Sequence, residues 1–550
     1  MEFDAIVIGA GFAGLYQLHA LRDRLGLRVR VLERGGDLGG TWYWNRYPGA
    51  RCDSESHAYR FMFSRELFEE WESSERYPAP AEIRAYLDFV ARKFDLRRDI
   101  QFGTHVAAAR YDEGANRWRV ETEAGERFSA VWLITAVGCL SAANVPDIPG
   151  LTDFKGRWYH TGQWPHHGVD FRGRRVGQIG TGSTGIQAAP VIAETALHLT
   201  VFQRTANYSV PACNRPLTPE LRQWVKSSFE EIRGTARSTI NGHAFRISER
   251  NALEASPEER QATYEKAWAA GGLQFRATFR DLLTSRAAND TAAEFVKARI
   301  RAIVKDPATA DSLADIDHPY AAKRPPIDTN YFETFNRPNV SLVNLRKDPI
   351  ERITSAGIRT QGSAGVREHP LDIIVFATGF DALTGPLLAI DILGRGGRSL
   401  HEDWKAGPQT HLGLQMAGYP NLFTITGPGS PSVLTNMPVA IEQHVEWITD
   451  CIAFLRKNGV HTIEPAEEAV TAWGEHVQEC ARATLLWDAK HSWYFGANVV
   501  GKPRVFMPYA GGLARYARHC ANIAARGYEG FIMDRRRAAE AATPVAQAGV

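Results

Sequence analysis

Two glycine clusters of identical spacing are the residues of this chain best suited to chemistry. Gly9, Gly11 and Gly14 form GxGxxG, and Gly180, Gly182 and Gly185 repeat it. In such a turn the first glycine permits a tight reversal, the second lets backbone approach a pyrophosphate, and the third lets a helix pack on a strand. The phosphate then meets the positive end of that helix. The residue nineteen positions after the third glycine differs between the two copies: Glu33 in the first, Arg204 in the second. A carboxylate there accepts hydrogen bonds from ribose hydroxyls, whereas a guanidinium binds a 2′-phosphate. FAD is therefore expected at the first cluster and NADPH at the second. Thr181, Ser183, Thr184, Ile186 and Gln187 of the second turn, with Thr205 beside Arg204, are expected to complete the NADPH site.

Two such sites in one chain imply hydride transfer from NADPH to a flavin. What takes the electrons next is a separate question. The six cysteines, Cys52, Cys139, Cys213, Cys451, Cys480 and Cys520, are far apart and form no CxxC pair, so neither a redox dithiol nor a zinc ribbon is indicated. No metal site is expected. Oxygen, a separate electron acceptor, or no turnover at all remain as outcomes.

The elements that must hold these residues are legible in outline. Residues 4–9, DAIVIG, read as a buried strand, GFAGLYQLHALRDRLG as a helix, and residues 29–33, VRVLE, as a parallel strand. The pattern returns at 174–204. The fold class is accordingly α/β, with two Rossmann-like dinucleotide-binding domains. PEERQATYEKAWAAGG and TAAEFVKARIRAIVKDP favour helices, which predicts a helical insertion within the second of these domains. The expected layout is a first part of the FAD domain at 1–140 and a linker with the first part of the NADP domain at 141–215. The insertion occupies 216–320, the rest of the NADP domain 321–380 and the rest of the FAD domain 381–534, with a disordered tail at 535–550.

Charge narrows the partners. With Lys+Arg 64 against Asp+Glu 62, nothing favours nucleic acid or an anionic membrane, and a small molecule is the expected partner. MEFDAIVIGA carries no basic leader, and no apolar stretch reaches the ~18 residues that span a bilayer. A cytoplasmic monomer is expected.

Two longer motifs add specificity. FKGRWYHTGQWP at 154–165 fills every fixed position of FxGxxxHxxxWP with Phe154, Gly156, His160, Trp164 and Pro165. GTWYWNRYPGARCD meets GxWxxxx(F/Y)PGxxxD with Gly40, Trp42, Tyr47, Pro48, Gly49 and Asp53. On both, in order and between two fingerprints, the chain over about residues 3–532 resembles the type I Baeyer-Villiger monooxygenases. ATGFDALTG, GPGSPSVLTNM and SWYFGANVVGKPRVFMPY place it nearest the branch of phenylacetone and steroid monooxygenases.

The resemblance implies an NADPH-dependent enzyme that inserts one oxygen atom of O2 beside the carbonyl of an aryl, cyclic or steroid-like ketone. The expected route runs through a C4a-peroxyflavin and a tetrahedral adduct. It implies that Arg324 steadies the oxyanion, oriented by Asp53. Thr41, Trp42, Tyr43, Trp44, Asp53, Tyr59, Val106 and Met437 are expected at the flavin, and Arg51, Cys52, Lys323, Arg324 and Trp493 at NADP. Ser432, Val433, Leu434 and Met437 are expected at the substrate. By residue type alone, an ordinary loop cation is the lesser alternative for Arg324, Trp493 is equally core or interface packing, and His160 is more readily a hydrogen-bonded hinge than a catalyst; its place before the second fingerprint puts it in an interdomain linker. Pro325 and Pro326 depart from the family's usual apolar residues and stiffen the backbone after Arg324. Related flavin monooxygenases that oxygenate nitrogen or sulfur share the fingerprints but lack the Trp-Pro ending. They form one alternative, and a non-catalytic redox sensor another.

Overall fold

A computed structural model describes residues 1–363 and 365–534; the tail expected at 535–550 lies outside the described residues. The β-branched run of Glu2–Ile8 forms a central strand in which Ala5, Ile6 and Val7 are fully buried, as a parallel strand covered on both faces requires. It pairs in parallel with Val29–Leu32, Ala5 opposite Val29, and with Arg127–Thr135 on its other side. The eight-stranded sheet runs Asp391–Leu393, Val106–Asp112, Arg117–Thr122, Arg127–Thr135, Glu2–Ile8, Val29–Leu32, Ile100–Gln101, with Leu422–Thr424 also paired to Arg127–Thr135. Segments from both ends of the chain thus share one sheet.

The second sheet has five strands in the order Val340–Asn344, His198–Gln203, Arg175–Ile179, Ile373–Phe376, Arg157–His160, all parallel. Its edge strand Arg157–His160 is the middle of the FxGxxxHxxxWP motif. His160 therefore ends a strand, opposite Phe376, rather than lying in a linker. Two antiparallel arrangements were not foreseen: the meander 106–135 and the small sheet Ile350–Thr354, Gly357–Gly362, Gly365–Pro370. The last of these strands exposes most of its residues, so no buried apolar run announces it.

Helices occupy Pro219–Ser227, Phe229–Ser238, Pro257–Ala270, Arg286–Ile303 and Pro307–Ala314. Their starts follow local chemistry. Ser256 and Glu259 form a reciprocal capping box with Pro257 in the first turn, and Ser285 caps the helix Arg286–Ile303. On the first sheet, Leu15 and Leu18 of the helix Phe12–His19 pack with Val445, Ile448 and Ile452 of the helix Met437–Lys457. Each such fully buried aliphatic side chain contributes roughly 1.5 to 3 kcal/mol. Met437, at the start of the second helix, packs against the same cluster. Among the described residues all six cysteines are free, and no helix is long and apolar enough to cross a membrane.

Candidate functional site

Both glycine turns are built for close approach by a ligand. Gly9 has φ of 106°, and a Cβ there would meet Ala136 O at 2.5 Å; Gly180 has φ of 111°, and its Cβ would meet Ala377 O at 2.4 Å. The third glycine of each turn lies against the first: a Cβ on Gly14 would stand 1.8 Å from Gly9 O, and one on Gly185 2.3 Å from Gly180 O. The helices Phe12–His19 and Ser183–Thr195 begin at Gly11 and Gly182 with no side-chain cap. Their first N–H groups stay free for an anion, so both cradles fit a pyrophosphate.

The two turns open onto one cavity of about 780 Å3. Of the residues expected at FAD, Gly9, Gly11, Glu33, Thr41, Trp42, Trp44, Asp53, Tyr59, Val106 and Met437 line it. Of those expected at NADP, Arg51, Cys52, Gly180, Thr181, Gly182, Ser183, Thr184, Gln187, Arg204, Thr205, Lys323, Arg324 and Trp493 do so, and Val433 joins them from the 432–437 loop. Glu33 accepts from Ala10 N and Gly35 N, each at 2.6 Å, which fixes its carboxylate at the strand end. Trp42 Nε1 donates to the Tyr59 hydroxyl at 3.1 Å. Gln187 ties the two domains, donating to Arg51 O at 3.0 Å and accepting from Tyr47 at 2.7 Å. Burial holds Lys323 below the usual lysine range; Asp317 opposes this and the neighbouring Arg204 adds to it. Two cations in mutual repulsion form an electrostatic seat for a dianion.

Several expected residues stand elsewhere. Tyr43 faces away from the cavity: its hydroxyl accepts from Gly36 N at 3.0 Å, and Arg46 and Arg84 lie over its ring. Ile186 is fully buried in the core of the second domain. Ser432 is fully buried beneath the loop, and Leu434 packs with the cluster of Tyr494 and Phe495. Gly14 and Gly185 serve packing, as the fingerprint requires. The signature residues shape the second domain instead of the cavity wall. Phe154 and Trp164 belong to apolar clusters, a Cβ on Gly156 would meet Asp372 O at 2.4 Å, and Pro165 O accepts from Gly168 N. His160 is 2% exposed, and its Nδ1 accepts from Gly162 N at 3.0 Å. Burial pushes its imidazole down to about 4, so it is neutral at neutral pH and suited to a structural part.

The charged centre of the cavity is a pair. Arg324 Nε donates to Asp53 Oδ2 at 2.6 Å and Nη2 to Asp53 Oδ1 at 2.8 Å, while Nη1 donates to Val433 O at 2.9 Å. Burial opposes both charges, but the partners outweigh it: Asp53 is held below the usual carboxylate range and Arg324 above the usual guanidinium range. A bidentate pair of this kind fixes the guanidinium plane.

A family model, flavin-binding monooxygenase-like, matches residues 4–213. The chain is 45% identical over 536 residues to a Baeyer-Villiger monooxygenase of Pseudooceanicola batsensis, covering 97% of each. The chain belongs to the Baeyer-Villiger monooxygenases. It is also 43% identical to phenazine N-monooxygenase PhzNO1 of Lysobacter antibioticus, covering 97% of each. Among solved structures, an oxidized steroid monooxygenase bound to NADP superposes with TM-score 0.92 and 50% identity over 98% of this chain and 100% of that one. Within this Baeyer-Villiger monooxygenase the cavity has further walls that motif reading missed. Arg34 stacks over the Trp44 ring at 4.8 Å, and Asn45, Asn144, Asn207 and His491 also line the space. Arg34 directly follows Glu33, a positional signal; Asn144 and His491 converge only through the fold.

Proposed function

We propose that this Baeyer-Villiger monooxygenase uses FAD, NADPH and O2 to convert aryl, cyclic or steroid-like ketones to esters or lactones, with NADP+ and water as the other products. The bidentate Arg324–Asp53 pair in the wall between the two dinucleotide cradles carries this reading. Bound FAD, reduced by NADPH, supplies the activation of oxygen. The first turn, with Glu33, holds FAD; the second, with Arg204 and Lys323, holds NADPH.

The protein's own part is electrostatic. Three of the five guanidinium N–H groups of Arg324 are engaged within the described residues, leaving two donors. They serve the negative oxygen that develops when the ketone carbonyl is attacked, and the guanidinium keeps its charge at any working pH. Asp53 is a positioning residue: it orients the fork and offsets its charge. The Val433 carbonyl fixes the third edge, joining the arginine to the loop expected at the substrate.

A second reading, oxygenation of nitrogen, is favoured by the 43% identity to a phenazine N-monooxygenase. Purified protein, NADPH, 18O2 and a panel of ketones and amines separates the two. Labelled ester or lactone is the expected product; labelled N-oxide with no ester would select the second reading.

A further inference from the structure

The helix Phe12–His19 begins at the first glycine turn, and its other end borders a second cavity of about 480 Å3 that shares no lining residue with the first. Part of its wall is a set of rings. Tyr16 stacks on Phe63 with centroids 4.1 Å apart and planes 6° from parallel, and His19 lies 4.2 Å from Phe94 and 5.5 Å from Phe63. The helix Met437–Lys457 supplies Glu446 and Asp450, four residues apart and therefore on one face. Like charges at that spacing repel each other and favour a cation between them. Arg24 meets only one of the two, donating to Asp450 Oδ1 at 3.1 Å.

Two observations set the chemistry of an occupant. The first is Tyr16, which lines the space while only 4% exposed, and whose hydroxyl makes no hydrogen bond among the described residues. A buried polar group without a partner is costly. Burial first, then Glu446 and Glu442, hold this phenol above the usual tyrosine range, so it is neutral and its oxygen can accept from a cation. The second is the sign of the surroundings. The charged groups that line the cavity, with their ion-pair partners, are Arg22, Arg24 and Arg237 against Asp23, Asp99, Glu442, Glu446 and Asp450. Arg237 is shared by Glu442 at 3.0 Å and Glu446 at 2.7 Å. Burial pushes the Glu442 carboxyl up to about 7, but even with Glu442 protonated one negative charge is left over. His19 adds no charge, because burial holds its imidazole below the usual range against the contact with Asp23.

We propose that this second cavity binds a small primary amine in its ammonium form, with the apolar body against the rings of Phe63 and Phe94 and the charged head shared by Tyr16, Glu446 and Asp450. A primary ammonium has three donors for these three acceptors, and aromatic faces attract it further. The probe is 2-phenylethylamine, with 2-phenylethanol and 3-phenylpropanoate as its neutral and anionic counterparts. Each is titrated by calorimetry into FAD-loaded protein saturated with NADP+, so that the first cavity is occupied. The amine is expected to bind about tenfold more tightly than the alcohol, to weaken as salt is added, and to raise the melting temperature with its concentration; the anion is expected not to bind. Asp450→Asn, Glu446→Gln and Tyr16→Phe should each weaken the amine by about three- to tenfold and leave the alcohol unchanged. Should either of the last two not fold, Asp450→Asn, at a side chain 66% exposed, makes the test. No binding of amine at about 10 mM, an amine held no better than the alcohol, or an affinity that Asp450→Asn leaves intact overturns the inference. Binding seen only without NADP+ belongs to the first cavity and overturns it as well.

Discussion

Replacing Arg324 by alanine removes three hydrogen bonds, two to Asp53 and one to the Val433 carbonyl, and the two donors left for the substrate. The catalytic loss is that of an oxyanion donor, about 3 to 4 kcal/mol, or 10^2 to 10^3 in the rate of ester formation. On the proposed assignment, NADPH is held by the second glycine turn with Arg204 and Lys323, so NADPH oxidation should fall far less, and the variant should consume NADPH without product. Stability suffers as well, because Asp53 keeps its burial and loses its partner. A fully buried pair broken in this way costs ~3 to 5 kcal/mol; the side chains here are 23% and 24% exposed, which reduces the cost to roughly 2. Adding Asp53→Asn should recover much of the stability and none of the ester. The assay is paired: NADPH loss by absorbance and ester by chromatography, alongside thermal denaturation. Ester yield unchanged in the folded variant would refute the role of Arg324.

Three further outcomes follow from other parts of the structure. Arg204→Ala should raise KM for NADPH about 10- to 100-fold, the cost of a charge-assisted phosphate contact, and leave that for NADH within a few-fold; equal changes for both would remove Arg204 from the 2′-phosphate site. Glu33→Gln, which weakens the acceptor held by Ala10 N and Gly35 N, should lower FAD affinity by roughly 1 to 2 kcal/mol, read by titrating flavin into stripped protein; undiminished affinity would contradict it. Asp328 accepts from Ser209 and Tyr331 N, and burial pushes its carboxyl up to about 6. The folded chain therefore holds this proton where the unfolded chain, near 3.8, has released it. Ionising Asp328 costs stability as pH rises from about 4 to 6 and holds that cost constant above. Asp328→Asn should match the wild type at pH 4 and exceed it by roughly 1 to 3 kcal/mol at pH 8; a gap that widens at low pH would reverse the assignment.

Features that rest on local backbone chemistry were legible in the chain. The strand, turn and helix around Gly9 and Gly180 follow from glycine spacing and apolar periodicity, and Glu33 and Arg204 fall where those turns put them. Tyr43 is not separable by sequence from its neighbours, because three consecutive aromatic residues on one helical turn point in different directions and Trp42 and Trp44 take the cavity. The strand ending at His160 is hidden in the sequence because Arg157–His160, with two exposed residues of four, lacks the continuous apolar run of an inner strand. Partners far apart in sequence were out of reach. Asn144, in the segment after Arg127–Thr135, and Asn207, just after His198–Gln203, reach the cavity from separate parts of the chain.

The most direct test of the account is the fate of labelled oxygen. Wild-type protein loaded with FAD, given NADPH, 18O2 and a ketone in one reaction and an aromatic amine in another, should place one 18O atom in an ester or lactone and consume one NADPH for each. Label found only in the N-oxide, or only in hydrogen peroxide and water, would contradict the assignment of Arg324 to a carbonyl oxyanion.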